Sequence, residues 1–264
     1  MPQNWGADSL QNLNASVQGT NLANYVINVQ YKPDQIVFWG RYFAYGANEN
    51  ADFGALGDEI PDFRAAIAQN GPSPYSCFIL PISSPSSENA TEADGVNDAN
   101  YVIGHIINSL GPNFRMPGDG TLYVFLDIEP GEATNTAWLG GWVRTVNGYS
   151  YANSAPFFAS AYVSPSDSTN ISNLEDVGGI YKSWSPQPEA GSGLGCGACD
   201  SPGPSWGPQS IGNFGTPLVW QYAEADSYCQ SCRGQTIYVD LDLSDPSLPA
   251  PRGACDEMLY IPPG

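Results

Sequence analysis

A chain of 264 residues that is 42% hydrophobic and 12% aromatic has enough apolar material for a sizeable core and too much to stay disordered. Its 27 acidic residues against 8 basic ones leave a net charge of -19, which repels phosphate backbones and anionic lipid, so neither nucleic acid nor a membrane is expected as a partner. The single histidine, His105, excludes a His-rich metal centre and argues against a Ser-His-Asp machine, and no apolar run nears the roughly 20 residues of a bilayer span.

Short β-rich runs recur along the chain with helix-like or loop stretches between them. Strands are predicted at Trp5–Asp8, Gln35–Phe43, Tyr75–Pro81, Thr121–Glu129, Pro156–Val163, Gly179–Trp184, Pro217–Tyr222 and Thr236–Asp242. Several, such as LYVFLDI and FFASAYV, are almost continuously apolar, as strands covered on both faces are. Helices are predicted at Asp58–Gln69, where acids and a proline open the segment, at Asp98–Leu110 from its stripe of Val102, Ile103, Ile106, Ile107 and Leu110, and at Thr134–Val146, where Trp138, Trp142 and Val146 recur every four residues. His105 is read as an ordinary helix histidine. After about residue 185 the helical signal fades, and residues 185–216 form a Cys/Gly/Pro-rich loop. The pattern predicts one domain over residues 1–264, an α/β fold with a single modified TIM-like (β/α) barrel and few helices in its C-terminal third.

The carboxylates fall at strand ends. In LYVFLDIEPG, Asp127 and Glu129 lie two residues apart, so both project from one face of the strand, about 7 Å from each other. The C-terminal ends of the strands carry the active site in barrels of this kind. Mutual repulsion and partial desolvation raise one pKa there and keep a proton available to a glycosidic oxygen. Asp240 and Asp242 repeat the spacing at the end of the last predicted strand, and Asp8 closes the first. Barrel closure would gather these acids over one pocket. Tyr42, Phe43, Tyr162, Trp184, Trp220, Gln221 and Tyr222 lie near the same strand ends, where aromatic faces stack on sugar rings and Gln or Tyr bonds their hydroxyls.

These residues resemble glycoside hydrolase family 25, the lysozyme-type muramidases, and a related group of glycoside-hydrolase-like barrel domains. Gly6-Ala7-Asp8-Ser9 is similar to the family's opening strand, Asp127-Ile128-Glu129 to its central D-x-E, and Trp220-Gln221-Tyr222 to its W-Q-Y. Val239-Asp240-Leu241-Asp242 is similar to its V-D-L-N, with Asp242 in place of Asn. The resemblance implies a glycoside hydrolase acting on β-linked N-acetylated amino-sugar glycan, peptidoglycan or a related polymer, with no cofactor. It implies Glu129 as general acid, Asp127 as its close partner, and Asp8 and Asp240 as acids that orient or stabilise the reacting sugar. It further implies a substrate-assisted route in which the acetamido group attacks, giving net retention. A surface this acidic suits an anionic cell wall only at low working pH. Two other readings remain open: a non-catalytic carbohydrate-binding or wall-associated barrel module, and a zinc-stabilised interaction protein.

Six cysteines, few lysines (Lys32 and Lys182) and many Gly and Pro point to a secreted protein, expected to be a monomer. MPQNWGADSL has neither a basic nor an apolar leader segment, so the chain reads as a mature form. Sequons stand at Asn14, Asn89 and Asn170. Cys196, Cys199, Cys229 and Cys232 form paired C-x-x-C motifs, which in a secreted chain make two disulfides and in a reduced one a structural zinc site. Cys77 and Cys255 either bridge or stay free.

Overall fold

The computed structural model describes residues 4–9, 14–30, 36–44, 59, 61–62, 65–66, 77–83, 89–110, 122–129, 131–151, 155–187, 205–223, 240–247 and 260–261. Eight strands form a ring: β1 (Asn4–Ser9), β2 (Ile36–Ala44), β3 (Cys77–Ser83), β4 (Leu122–Ile128), β5 (Ala155–Val163), β6 (Ser183–Pro186), β7 (Val219–Ala223) and β8 (Asp240–Ser244). Neighbours from β1 through β7 pair in parallel. The β3–β4 seam is thin, joined at Ile82–Phe125 and Ser83–Leu126. The ring then closes through β8, which runs antiparallel to both β7 and β1. The fold is therefore mixed α/β and barrel-like but not a full TIM barrel, which requires eight parallel strands.

Three helices are described on the outside: α1 (Glu92–Leu110), α2 (Thr136–Asn147) and α3 (Ser168–Val177). The predicted helix Asp58–Gln69 is helical at its described positions 59, 61–62 and 65–66. A short helix, Leu22–Asn24, runs into a π-helical turn, Tyr25–Gln30, between β1 and β2. Beyond α3 the described residues contain only the 3₁₀ turn Gly212–Phe214, in keeping with the faded helical pattern. No described helix is long and apolar enough to cross a membrane.

Alternation along the strands sorts side chains into two layers. Val124, Leu126 and Ile128 of β4 and Phe157, Ala159, Ala161 and Val163 of β5 share one buried cluster with Trp138, Leu139 and Trp142 of α2. The opposite faces point into the barrel, where Phe38, Phe125, Tyr162 and Trp184 are buried. Two glycines make room for them. A methyl group on Gly6 would lie 2.0 Å from the Phe38 ring, and one on Gly40 would lie 2.5 Å from both the Asp8 Cβ and the Trp184 ring. The barrel is thus a filled core up to the layer of acids.

Outside, α1 and α2 pack backbone to backbone. A methyl on Gly95 would lie 2.0 Å from the Trp138 carbonyl oxygen, and one on Gly141 would lie 2.1 Å from that of Glu92. The indole of Trp138 donates to Asp98 at 2.9 Å, and Arg144 pairs with Glu92 at the surface. A capping box starts α1: Thr91 N–H donates to Asp94 Oδ2 at 2.7 Å, and Asp94 N–H donates back to the Thr91 hydroxyl at 3.3 Å.

Candidate functional site

The register of the closing strand assembles the site. Asp8 stands opposite Asp240, while Asp242 stands opposite Gly6 on one side and Gln221 on the other. These positions share the inward face, so acids from β1 and β8 meet inside the barrel. The Gln221 amide nitrogen donates to Asp8 Oδ2 at 3.0 Å and to Asp240 Oδ2 at 3.1 Å. Its amide oxygen accepts from the Tyr162 hydroxyl at 2.6 Å. Asp242 Oδ1 accepts from the Trp184 indole at 3.0 Å. Next to Tyr162 in the sheet is Asp127, also buried and inward.

Asp240 and Asp242 were expected at the end of a parallel strand, but they open a described strand that runs the other way. Both changes act together: reversing the strand brings its first residues, instead of its last, to the end of the barrel where β1 and β7 finish. Asp240 is half-buried there, with Asp242 one layer deeper and fully enclosed.

Glu129 is exposed, immediately after β4. Its carbonyl accepts from Glu132 N–H at 3.0 Å, its own N–H donates to Glu132 Oε2 at 2.9 Å, and Gly131 makes the turn at φ 92°. Asn170, from α3, ties this turn down. Its side-chain amide donates to the Glu132 carbonyl at 2.7 Å, and its oxygen accepts from both the N–H and the hydroxyl of Thr134. Sequence reasoning missed this anchor and saw Asn170 only as a sequon; it is 2% exposed, too enclosed to accept a glycan in the folded chain. The signal available was Asp167, whose carboxylate accepts from Asn170 N–H at 3.1 Å and caps α3.

The aromatic residues divide by strand parity. Tyr162 and Trp184 face inward but are enclosed: Trp184 packs edge-on against Phe125 and Tyr162 at 5.9 and 5.3 Å. Trp184 hydrogen-bonds Asp242 and Tyr162 hydrogen-bonds Gln221, and enclosed as they are they offer no open ring face to a sugar. Trp220 and Tyr222 point the other way from Gln221. They pack against each other at 6.1 Å, Trp220 meets Trp206 at 6.2 Å, and its indole donates to the Gln187 carbonyl at 2.9 Å. As substrate contacts these two are corrected to core residues of the outer layer. Tyr42 lies in β2, but its side chain is outside the described residues, as are Cys196, Cys199, Cys229 and Cys232. Among the described residues no cluster of His, Cys, Asp and Glu could hold a metal ion.

Burial pushes the Asp8 carboxyl well above the usual aspartate range, and the charges of Asp242 and Asp240 push it further. Asp242 is raised by burial and then by Asp240, while its polar interactions with Asp8 and Trp184 act the other way. The two buried carboxyls interact, so their raised titrations belong to the pair and not to either residue alone. Because the folded chain holds protons that the unfolded chain releases, stability from this pair is highest at acid pH and falls as pH rises through the raised values. Asp242→Asn is expected to flatten the decline in Tm between about pH 5 and pH 8, by about 3 °C for each pH unit by which the pair's titration is raised. Thermal unfolding of both chains at the two pH values checks this, since the remaining surface charge is common to them.

No known family model matches the chain, and no curated protein matches its sequence. Solved structures do. An uncharacterized protein of B. stearothermophilus is 22% identical, with a TM-score of 0.61 over 92% of this chain and 96% of its own. The bacterial lysozyme of Streptomyces coelicolor is 14% identical, with a TM-score of 0.57 over 93% of this chain and 94% of its own. The catalytic domain of an endolysin from a bacteriophage of Listeria monocytogenes is 12% identical, with a TM-score of 0.54 over 93% of this chain and 94% of its own. At these identities the likeness is one of architecture: the chain shares its barrel-like fold with a lysozyme and an endolysin catalytic domain.

Proposed function

We propose that the chain is a secreted glycoside hydrolase of the lysozyme kind, related to glycoside hydrolase family 25, that cleaves β-linked N-acetylated amino-sugar glycan. One observation carries the reading: carboxyls from β1 and β8, far apart in sequence, meet at Gln221 on the inner face of a lysozyme-like barrel, with Asp127 of β4 beside Tyr162 on that face. Two solved structures that share this fold are a lysozyme and an endolysin catalytic domain, which agrees with it.

Glu129, exposed one residue beyond β4, is in this reading the carboxyl that a bound glycan reaches. In this reading it gives its proton to the glycosidic oxygen as the bond from the anomeric carbon breaks. Positive charge then develops on the sugar ring, and half-buried Asp240, held through Gln221 against Asp8, lies where negative charge stabilises it. The acetamido oxygen of the same sugar closes on the anomeric carbon. Water opens that ring, gives its proton back to Glu129, and leaves the product with retained configuration. Because Asp8, Asp127 and Asp242 are buried, they act through the field and through hydrogen bonds, without direct contact with sugar.

Incubation with a panel of purified polysaccharides, peptidoglycan and chitin among them, followed by product analysis, tests the proposal. New reducing ends on an N-acetylated sugar with retained configuration are expected. Binding to a glycan without any cleavage across the panel would instead establish a non-catalytic carbohydrate-binding module.

A further inference from the structure

Gln221 is 2% exposed and Tyr162 is 5% exposed, and the hydrogen bonds around them leave the amide a single productive orientation. The phenol proton points at the amide oxygen at 2.6 Å, so the nitrogen is the end that faces the acids. Its two hydrogens are taken up by Asp8 Oδ2 at 3.0 Å and Asp240 Oδ2 at 3.1 Å. A rotated amide would turn its oxygen on two carboxylates and leave the phenol facing N–H groups. Tyr162 is itself held edge-on against Trp184, whose indole is committed to Asp242.

We propose that Gln221, clamped by Tyr162, is the positioning residue of this site, keeping one oxygen of Asp8 and one of Asp240 as acceptors. This rests on the glycosidase reading for its consequence in catalysis but not for the proton placement itself. An oxygen that already accepts an N–H is the poorer place for a proton, so protonation of Asp8 falls on its other oxygen. Asp240 then remains the carboxylate nearest the opening.

The groups around the amide are Asp8 on β1, Tyr162 on β5 and Asp240 on β8, with Asp127 on β4 beside Tyr162, Asp242 on β8 opposite Gln221 and neutral Trp184 on β6 bonded to Asp242. The cations among the described side chains lie elsewhere: Lys182 is over the Tyr123 ring and Arg144 is on Glu92. The Gln221 bond lowers the Asp8 titration against the burial that raises it, so loosening the amide moves Asp8 upward.

The test uses the whole chain and two variants. Tyr162→Phe keeps the ring packing and removes only the clamp; Gln221→Glu keeps the shape and removes the hydrogens. Titration of the carboxyl carbons by NMR in aspartate-labelled protein should show the Asp8 midpoint rising by about one pH unit in Tyr162→Phe. For glycan cleavage, Tyr162→Phe should lower kcat about tenfold with KM within about twofold. Gln221→Glu should lower kcat about a hundredfold at neutral pH and recover toward about pH 5, where the introduced carboxyl is protonated and donates again. Asp8 and Asp240 titrations in Tyr162→Phe that superimpose on those of the unaltered chain would overturn the inference, as would a loss of kcat equal at every pH. Should the unaltered chain cleave no glycan, the functional reading falls while the NMR titration still decides where the proton sits.

Discussion

Glu129→Gln is expected to lower glycan cleavage by about 10²–10⁴-fold with little change in folding or glycan binding. The side chain is exposed, so an amide of equal size meets no packing conflict. The turn that holds it is made by backbone groups, by the Glu132 carboxylate and by Asn170, all of which the substitution leaves in place. What disappears is the ability to give and retake a proton. Initial rates on whichever glycan the panel identifies, beside thermal unfolding and a binding isotherm, separate chemistry from structure. Undiminished turnover would remove Glu129 from the role of acid and shift attention to half-buried Asp240.

Gly141→Ala is expected to destabilise the fold by about 2 kcal/mol, against what helix propensity alone implies. Alanine inside a helix is favoured over glycine by about 1 kcal/mol. The added methyl, however, would lie 2.1 Å from the Glu92 carbonyl oxygen and 3.1 Å from the Val96 nitrogen. Those are backbone atoms of the facing helix, which have no rotamer to change. The helices must separate, which costs about 3 kcal/mol in overpacking and loosens the indole bond from Trp138 to Asp98. Denaturant unfolding of the two proteins decides which effect wins, and a rise in stability would mean that α1 and α2 are not in backbone contact.

The eight strands were readable because strands covered on both faces are apolar throughout, as in β4, where every residue is buried. Direction was not readable. The composition of β8 is the same whichever way it runs, so its antiparallel closure escaped notice. The predicted strand Gly179–Trp184 sits four residues too early because Gly178 and Gly179 take φ of 68° and 78° and turn the chain out of α3. Helix α3 was missed because it is short and polar, burying only Asn170, Ile171 and Leu174. Helix α1 begins at Glu92, six residues before the predicted start. Its first turn packs by glycine and small residues, and the Thr91–Asp94 capping box was the signal to follow.

In the site, the acids Asp8, Asp127, Asp240 and Asp242 were legible from their places near strand ends. The strand parity that pairs Asp240 with Asp242 also puts Trp220 and Tyr222 on the far side from Gln221. Reading all three as one rim set that rule aside. The space left by Gly6 and Gly40 depends on which rings cross the barrel, and no local pattern encodes it.

The hydrogen bond from Gln221 to Asp8 spans 213 positions of chain, and the strand that completes the ring is paired with the first. Contacts of such high sequence separation form late and slowly in folding. A ribosome-bound chain that has not yet released β8 therefore lacks Asp240, Asp242 and the wall that encloses Asp8. Completion of the acid cluster is coupled to the final docking event, and a truncated product would lack it however well its first seven strands had condensed.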